Sequence, residues 1–114
     1  MIRTAVVGVG HLGQIHARKY AASKKANLVG VVDIDRKRST EVAQELGVDS
    51  LTDYRELFGM IRCVSVAVPT RYHYEITRDF LSAGIDVLVA KPIAATYDEG
   101  RKLVELAAEK RLCL

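Results

Sequence analysis

Residues 2–13 read Ile2-Arg3-Thr4-Ala5-Val6-Val7-Gly8-Val9-Gly10-His11-Leu12-Gly13, an apolar run that feeds directly into three glycines. Such a run, then glycines, then the helix-compatible stretch Leu12 to Ala22, is the sequence form of strand, tight turn and helix start. Gly-x-Gly-x-x-Gly alone also occurs in ordinary loops. Here a second apolar run, Leu28 to Val32, closes on Asp33, twenty residues after Gly13. That is where a dinucleotide-binding βαβ unit carries its ribose-binding acid.

Working outward, apolar runs bounded by turn residues recur at Cys63 to Val68 and Asp86 to Val89, with a short one at Asp49 to Leu51. They are continuous rather than alternating, as strands covered on both faces should be. The stretches between them predict helices over 11–23, 36–46, the segment 72–83 and 97–110. Asp35 and Thr96 are the expected N-caps, and Gly47 and Gly84 the expected stops. Asp53 opens a further short helical turn ending near Gly59. On the first helix Gly13, Ala17 and Ala21 form the expected inward stripe; on the third, Tyr72, Ile76, Phe80 and Ala83; on the last, Leu103, Leu106 and Ala107. Residues 111–114 read as the start of a sixth strand, cut short. The alternation gives an α/β fold, a doubly wound parallel sheet of Rossmann type with strand order 3-2-1-4-5-6.

The chain's 114 residues suit one domain, 1–114, and are few for a complete two-substrate enzyme. With 49% hydrophobic and 27% charged residues the composition is that of a globular protein. No apolar run approaches the roughly 18 residues of a membrane span, and the N-terminus lacks the form of a signal peptide, so a cytoplasmic protein without membrane contact is expected. The net charge of +3 is too small and scattered to argue for nucleic acid. Cys63 and Cys113 have no metal-ligand spacing and read as reduced core thiols.

In such a sheet ligands lie beyond the carboxyl ends of the strands, at the switch between strands 1 and 4. Gly8 is expected to permit the tight turn, Gly10 to let a pyrophosphate approach the backbone, and Gly13 to let helix and strand pack closely. The backbone amides at the helix start, from Leu12 to Gln14, would face the phosphates, with His11 contributing its backbone and its side chain pointing outward. Asp33 would accept the adenosine ribose hydroxyls and favour NAD over NADP. Arg36 or Lys37, in a cationic first turn with Arg38, would permit NADP as well.

Pro69, Thr70 and His73 follow strand 4. His73 is either part of the site or a helix-start surface residue. His16 reads as a satisfied, half-buried side chain. The five tyrosines, Tyr20, Tyr54, Tyr72, Tyr74 and Tyr97, read as packing residues rather than stacking platforms. Lys91, before Pro92 at the end of strand 5, is the candidate for direct chemistry: beside a cationic ring and apolar walls a lysine can give or take a hydroxyl proton. The alternative is a surface lysine in a proline-fixed turn.

With these residues in hand, the sequence resembles the N-terminal domain of the glucose-fructose oxidoreductase and inositol dehydrogenase family (Gfo/Idh/MocA). The resemblance rests on Gly8 to Gly13 with Ile15-His16-Ala17, Val31-Val32-Asp33, Thr52-Asp53-Tyr54, Val66-Ala67-Val68-Pro69 with His73, and Val87-Leu88-Val89-Ala90-Lys91-Pro92. It implies a nicotinamide-dependent dehydrogenase acting on a sugar, nucleotide-sugar or cyclitol. Lys91 and Pro92 match the family's Glu-Lys-Pro motif, with Ala90 in place of the glutamate. Pro69 to His73 match the loop lining the nicotinamide ribose, with Thr70 where asparagine is frequent. The family's C-terminal substrate domain has no counterpart in these residues. Two readings follow: the cofactor-binding part of a dehydrogenase, inactive without that domain, or a non-catalytic dinucleotide-binding or assembly module. The apolar tail and open sheet edge lead us to expect a homo-oligomer.

Overall fold

The computed structural model describes residues 2–89 and 93–114. Five strands, β1 (Ile2–Val7), β2 (Ala26–Val32), β3 (Asp49–Leu51), β4 (Cys63–Val66) and β5 (Asp86–Val89), alternate with helices α1 (His11–Ala22), α2 (Arg36–Leu46), α3 (His73–Ser82) and α4 (Tyr97–Lys110). The sheet is parallel throughout and ordered β3-β2-β1-β4-β5. The chain winds outward from β1 in both directions, which leaves a crevice between the β1 and β4 loops.

The two faces of the sheet have different cores. On one, α1 and α2 cover Val6, Val9, Leu28 and Val31 with Ala17, Val42 and Ala43. On the other, Ala5, Val7, Val64 and Val66 pack against Leu57, Phe80, Leu81, Ile85, Leu103 and Ala107. Alternate residues of β1 thus serve opposite cores, as a strand covered on both sides requires.

Helix bounds follow local chemistry. The Asp35 carboxylate accepts the Arg38 amide to start α2, and Gly47 ends it with φ +69 in the left-handed region. Thr96 caps α4 by accepting the Glu99 amide, and the Asp53 side chain accepts the Arg55 amide at a short 3₁₀ turn, Tyr54–Leu57. α1 begins at Gly10 with no side-chain cap.

Several expectations are corrected. Ala21 is exposed, so the inward stripe of α1 is Gly13 and Ala17. A 3₁₀ turn at Thr70–Tyr72 precedes α3 and rotates its face: His73, Thr77, Phe80 and Leu81 are buried, while Tyr72 and Ala83 are exposed. β4 ends at Val66, not Val68. Residues 111–114 form no sixth strand. The Val87 amide does donate to the Cys113 carbonyl (3.1 Å), but the Cys113 amide turns to the Asp86 carboxylate (2.8 Å) rather than to a strand carbonyl. Cys113 is exposed and Cys63 half-buried, so neither is a core thiol; both are free. Burial, then the nearby Asp86 carboxylate, pushes the Cys63 thiol up from its ordinary range.

Candidate functional site

The glycine loop is shaped by what its glycines lack. Gly8 has φ +89, and a Cβ there would lie 2.6 Å from the Ala67 carbonyl oxygen at the end of β4. A Cβ at Gly13 would lie 1.7 Å from the carbonyl oxygen of Gly8 itself. Both positions are closed by backbone, so no side chain fits. Gly10 differs: within 4 Å of its Cβ position stands one atom, Nη1 of Arg38, at 3.7 Å. Packing requires the outer two glycines, whereas the middle one faces open space.

That opening lies at the start of α1. Its first turn contains no acidic side chain and has no side-chain cap. Amides in the first turn of a helix have no intrahelical acceptor, and the helix dipole adds positive potential there. The first intrahelical bond runs from the Gln14 amide to the Gly10 carbonyl (2.9 Å), leaving the amides of 11–13 ahead of it. The Gln14 side chain bonds the Val9 carbonyl (3.0 Å), which steadies the loop from behind. His11 and Leu12 are exposed.

Asp33 is buried to 8% exposure, and its carboxylate accepts the Val9 amide on Oδ2 (3.0 Å) and the Asp35 amide on Oδ1 (2.9 Å). It therefore ties the end of β2 to the glycine loop. Arg38 reaches the same carboxylate, Nη1 to Oδ2 at 3.5 Å, and lies 3.9 Å from Asp35. Arg36 does not join them: it lines a separate concavity with Thr40, Ser50, Leu51, Thr52 and Glu56. Arg38, three residues past the α2 cap, is the cation that the chain brings to Asp33. Its signal in the sequence was the N-cap spacing, which lays the third helical residue back over the cap. Ile34, 91% exposed between the two acids, is a second residue that the sequence reading passed over.

The turn after β4 abuts the glycine loop. The Ala67 amide donates to the Val7 carbonyl (2.8 Å), and the Ala67 carbonyl forms the wall beside Gly8. Pro69 is exposed and Thr70 half-buried, and the Tyr72 amide closes the turn on the Pro69 carbonyl (2.9 Å). His73 is no surface residue: it is 2% exposed, with Nε2 hydrogen-bonded to the Val68 carbonyl at 2.8 Å. Its place is beneath the turn, where it fixes the backbone that presents Pro69 and Thr70. β5 delivers the chain to the same edge at Val89, in register with Val66. Ala90, Lys91 and Pro92 lie outside the described residues.

The remaining candidates are dispersed. His16 is half-buried, but its Nδ1 is buried without a hydrogen-bond partner, so it is not the satisfied side chain expected. Tyr20 bonds Ser65 (2.6 Å), and Tyr54 packs against Phe58 and Phe80, as packing residues should. Tyr97, at 86% exposure, does not pack. A concavity of about 500 Å³ is lined by Arg55, Phe58, Glu75, Arg78 and Asp79 and has no residue of the glycine loop. Among the described residues no group of His, Cys, Asp and Glu is placed to hold a metal, and no helix is long and apolar enough to cross a membrane.

The residues present fit a dinucleotide phosphate: a glycine open to solvent, uncapped amides behind it, and a buried acid one strand away. A parallel sheet in this order with such a loop at its switch point defines a Rossmann-type nucleotide-binding domain. The family model of an oxidoreductase family with an NAD-binding Rossmann fold (GFO_IDH_MocA) matches residues 2–114, and the chain belongs to that family. UDP-N-acetylglucosamine 3-dehydrogenase of Acidithiobacillus ferrooxidans is 37% identical over 113 residues, covering 99% of this chain and 36% of that protein. Its solved structure superposes with TM-score 0.92 over 97% of this chain. GenD2 from gentamicin A biosynthesis, solved in complex with NAD, shares 33% identity and TM-score 0.94 over 97% of this chain and 32% of its own. Biliverdin reductase from Synechocystis sp. PCC 6803, solved with biliverdin and NADP+, shares 29% identity and TM-score 0.94 over 99% of this chain and 36% of its own. The chain thus spans about a third of the length of the curated relatives it matches.

Proposed function

We propose that this chain binds a nicotinamide dinucleotide and forms the cofactor-binding part of an oxidoreductase acting on a hydroxyl of a sugar, nucleotide-sugar or cyclitol. One observation carries the reading: Gly8 and Gly13 are closed by backbone while Gly10 is open, which is the division of labour a pyrophosphate site needs. In this reading the amides of His11, Leu12 and Gly13 bind the phosphates, Asp33 accepts ribose hydroxyl protons, and the exposed Ile34 offers apolar surface to the adenine. Pro69 and Thr70, held from beneath by His73, line the nicotinamide side. The bound cofactor supplies or accepts the hydride. Lys91 handles the substrate's hydroxyl proton, and Pro92 follows it in the same cofactor-side motif.

The relatives' names support the substrate class. Turnover needs a positioned substrate, and these 114 residues match about a third of the relatives' length, so we expect them by themselves to bind cofactor without turnover. The two free cysteines suit a reducing, cytoplasmic compartment. Exposed Leu88 on β5 and Leu114 on the tail support self-association at that edge.

A fluorescence titration with NADH tests the reading. Saturable enhancement and blue shift of nicotinamide emission are expected, and absence of binding by both NADH and NADPH overturns it.

A further inference from the structure

The net charge of +3 is scattered along the sequence, but the fold gathers part of it at one place. In a sheet that is parallel throughout, every strand starts at one end, and the helices that return the chain to the next strand finish there too. Cations reach that end from separate points of the chain. Arg3 lies at the start of β1 and Arg62 just ahead of β4, and the Arg62 amide donates to the Arg3 carbonyl (3.0 Å), so the two arginines leave neighbouring strands at one level. Lys24 and Lys25 lead from α1 into β2, where the Lys25 carbonyl accepts the Ile2 amide (3.0 Å). Lys110 and Arg111 close α4, and the Lys110 Nζ reaches the Ser82 carbonyl at the end of α3 (3.4 Å).

All of these cations are exposed, and among the described residues none of them is in an ion pair. Those that do pair, such as Arg18 with Glu45 and Arg101 with Asp98, do so along the helices. The acids at this end do little to offset the cations: Glu45 is held by Arg18, a carboxylate oxygen of Asp86 is taken by the Cys113 amide, and Asp49 and Glu109 remain. Exposed apolar side chains accompany both arginines, Ile2 next to Arg3 and Met60 two residues before Arg62. Unpaired cations gathered on one face mark a surface that meets an anion outside the molecule.

The composition of this end selects among anions. The exposed aromatics, Tyr72 and Tyr97, stand at the starts of α3 and α4, at the opposite edge, so stacking platforms for a single-stranded nucleic acid are elsewhere. The cations come from loops and strand starts across an end face rather than along one helix, which suits a plane of headgroups better than a line of phosphates. Apolar side chains beside the arginines add what a lipid interface takes up and a phosphate backbone does not.

We infer that the amino-terminal end of the sheet is a peripheral docking surface for an anionic phospholipid membrane, with Arg3, Arg62, Lys24, Lys25, Lys110 and Arg111 on the headgroups and Ile2 and Met60 at the interface. Such a contact needs no spanning helix. It therefore departs from the expectation of no membrane contact, which rests on the lack of a span. It turns the edge that carries the glycine loop toward solution and does not depend on what that edge binds.

Sedimentation of the 114-residue chain with vesicles tests it, using phosphatidylglycerol and phosphatidylcholine in equal parts against phosphatidylcholine alone, with circular dichroism showing that each variant is folded. Partition into the anionic vesicles is expected to exceed that into the neutral ones by about twentyfold or more at low salt, and to collapse at about 0.5 M salt. Arg3→Gln with Arg62→Gln removes two cations, each worth about fivefold near such a surface, and should weaken anionic partition by about tenfold or more. Lys24→Gln with Lys25→Gln, in a loop, should do the same and gives a second reading if the strand variant does not fold. Arg101→Gln with Lys102→Gln removes equal charge from the first half of α4 and should change partition by less than about threefold. Equal partition into anionic and neutral vesicles, or equal losses in the α4 variant and the end variants, overturns the surface. Tighter binding to a DNA duplex or to polyglutamate than to the anionic vesicles, at matched anionic charge, overturns lipid as its occupant.

Discussion

Residues 8–13 and 68–73 leave neighbouring strands, β1 and β4, at the same edge of the sheet. The first loop owes its shape to absent side chains. The carbonyls of Ala67 and Gly8 occupy the space where Gly8 and Gly13 would carry a Cβ. The second owes its shape to a side chain, the buried His73 imidazole on the Val68 carbonyl. A backbone-filled loop has no slack, because displacing a carbonyl moves a strand. A loop held through a side chain can loosen while the strand beneath it stays put. The phosphate end of the site is thus rigid by construction, and the other end depends on side-chain packing and on hydrogen bonds such as His73 to the Val68 carbonyl and Tyr72 to the Pro69 carbonyl.

The comparison breaks first at Gly13. Gly13→Ala puts a methyl 1.7 Å from a backbone oxygen, and we expect it to cost more than about 3 kcal/mol or to prevent folding, measured by urea denaturation. Gly10→Ala, whose methyl meets only open space and Arg38, should cost less than about 1 kcal/mol. Equal costs would show that the glycines do not divide as described. Next is His73→Leu, which keeps the bulk and strands the Val68 carbonyl. About 2 kcal/mol is expected, with proteolytic nicking at 68–72 appearing before any in 8–13.

The smallest effect tests how α3, which begins at His73, is anchored from the side. The Tyr54 hydroxyl donates to the Asp79 carboxylate on α3. Burial, then that bond and the charge of Asp79, raises the phenol above its ordinary value of about 10. The folded state therefore holds this proton more tightly than the unfolded chain does. The contribution is fully present below pH about 10 and is lost as pH rises toward the higher folded value. Tyr54→Phe should cost about 1 kcal/mol at pH 7 and flatten the decline of stability above pH 10. Cys63, whose thiol is also raised, is common to both proteins, so the difference isolates Tyr54. Parallel curves for the two would remove Asp79 as the anchor.

Much of this was legible in the chain because the signals are local. Asp35 with Gly47 and Thr96 with Lys110 bound their helices as expected, since a cap and a left-handed stop involve neighbours within a turn or two. The parallel order followed from continuous apolar strands separated by helices. The misjudged helix-face positions share a cause, the rotation of a helix against the sheet. Ala21 lies beyond the sheet-facing part of α1, and the 3₁₀ turn at Thr70–Tyr72 shifted the inward face of α3 to His73 and Thr77. The tail failed as a strand because the Asp86 side chain takes the Cys113 amide, a partner 27 residues away in the chain.

The sequence by itself determined the fold class, the glycine loop and the acid that follows it, because each depends on spacing along one strand-turn-helix unit. Only the tertiary structure decided that Gly10, of the three glycines in the loop, is the open one, that His73 is buried beneath its turn, and that Arg38 rather than Arg36 meets Asp33. Those outcomes depend on which faces of α1, α2 and α3 dock against the sheet. That choice is made by the two cores on its opposite sides, and no stretch of sequence contains it.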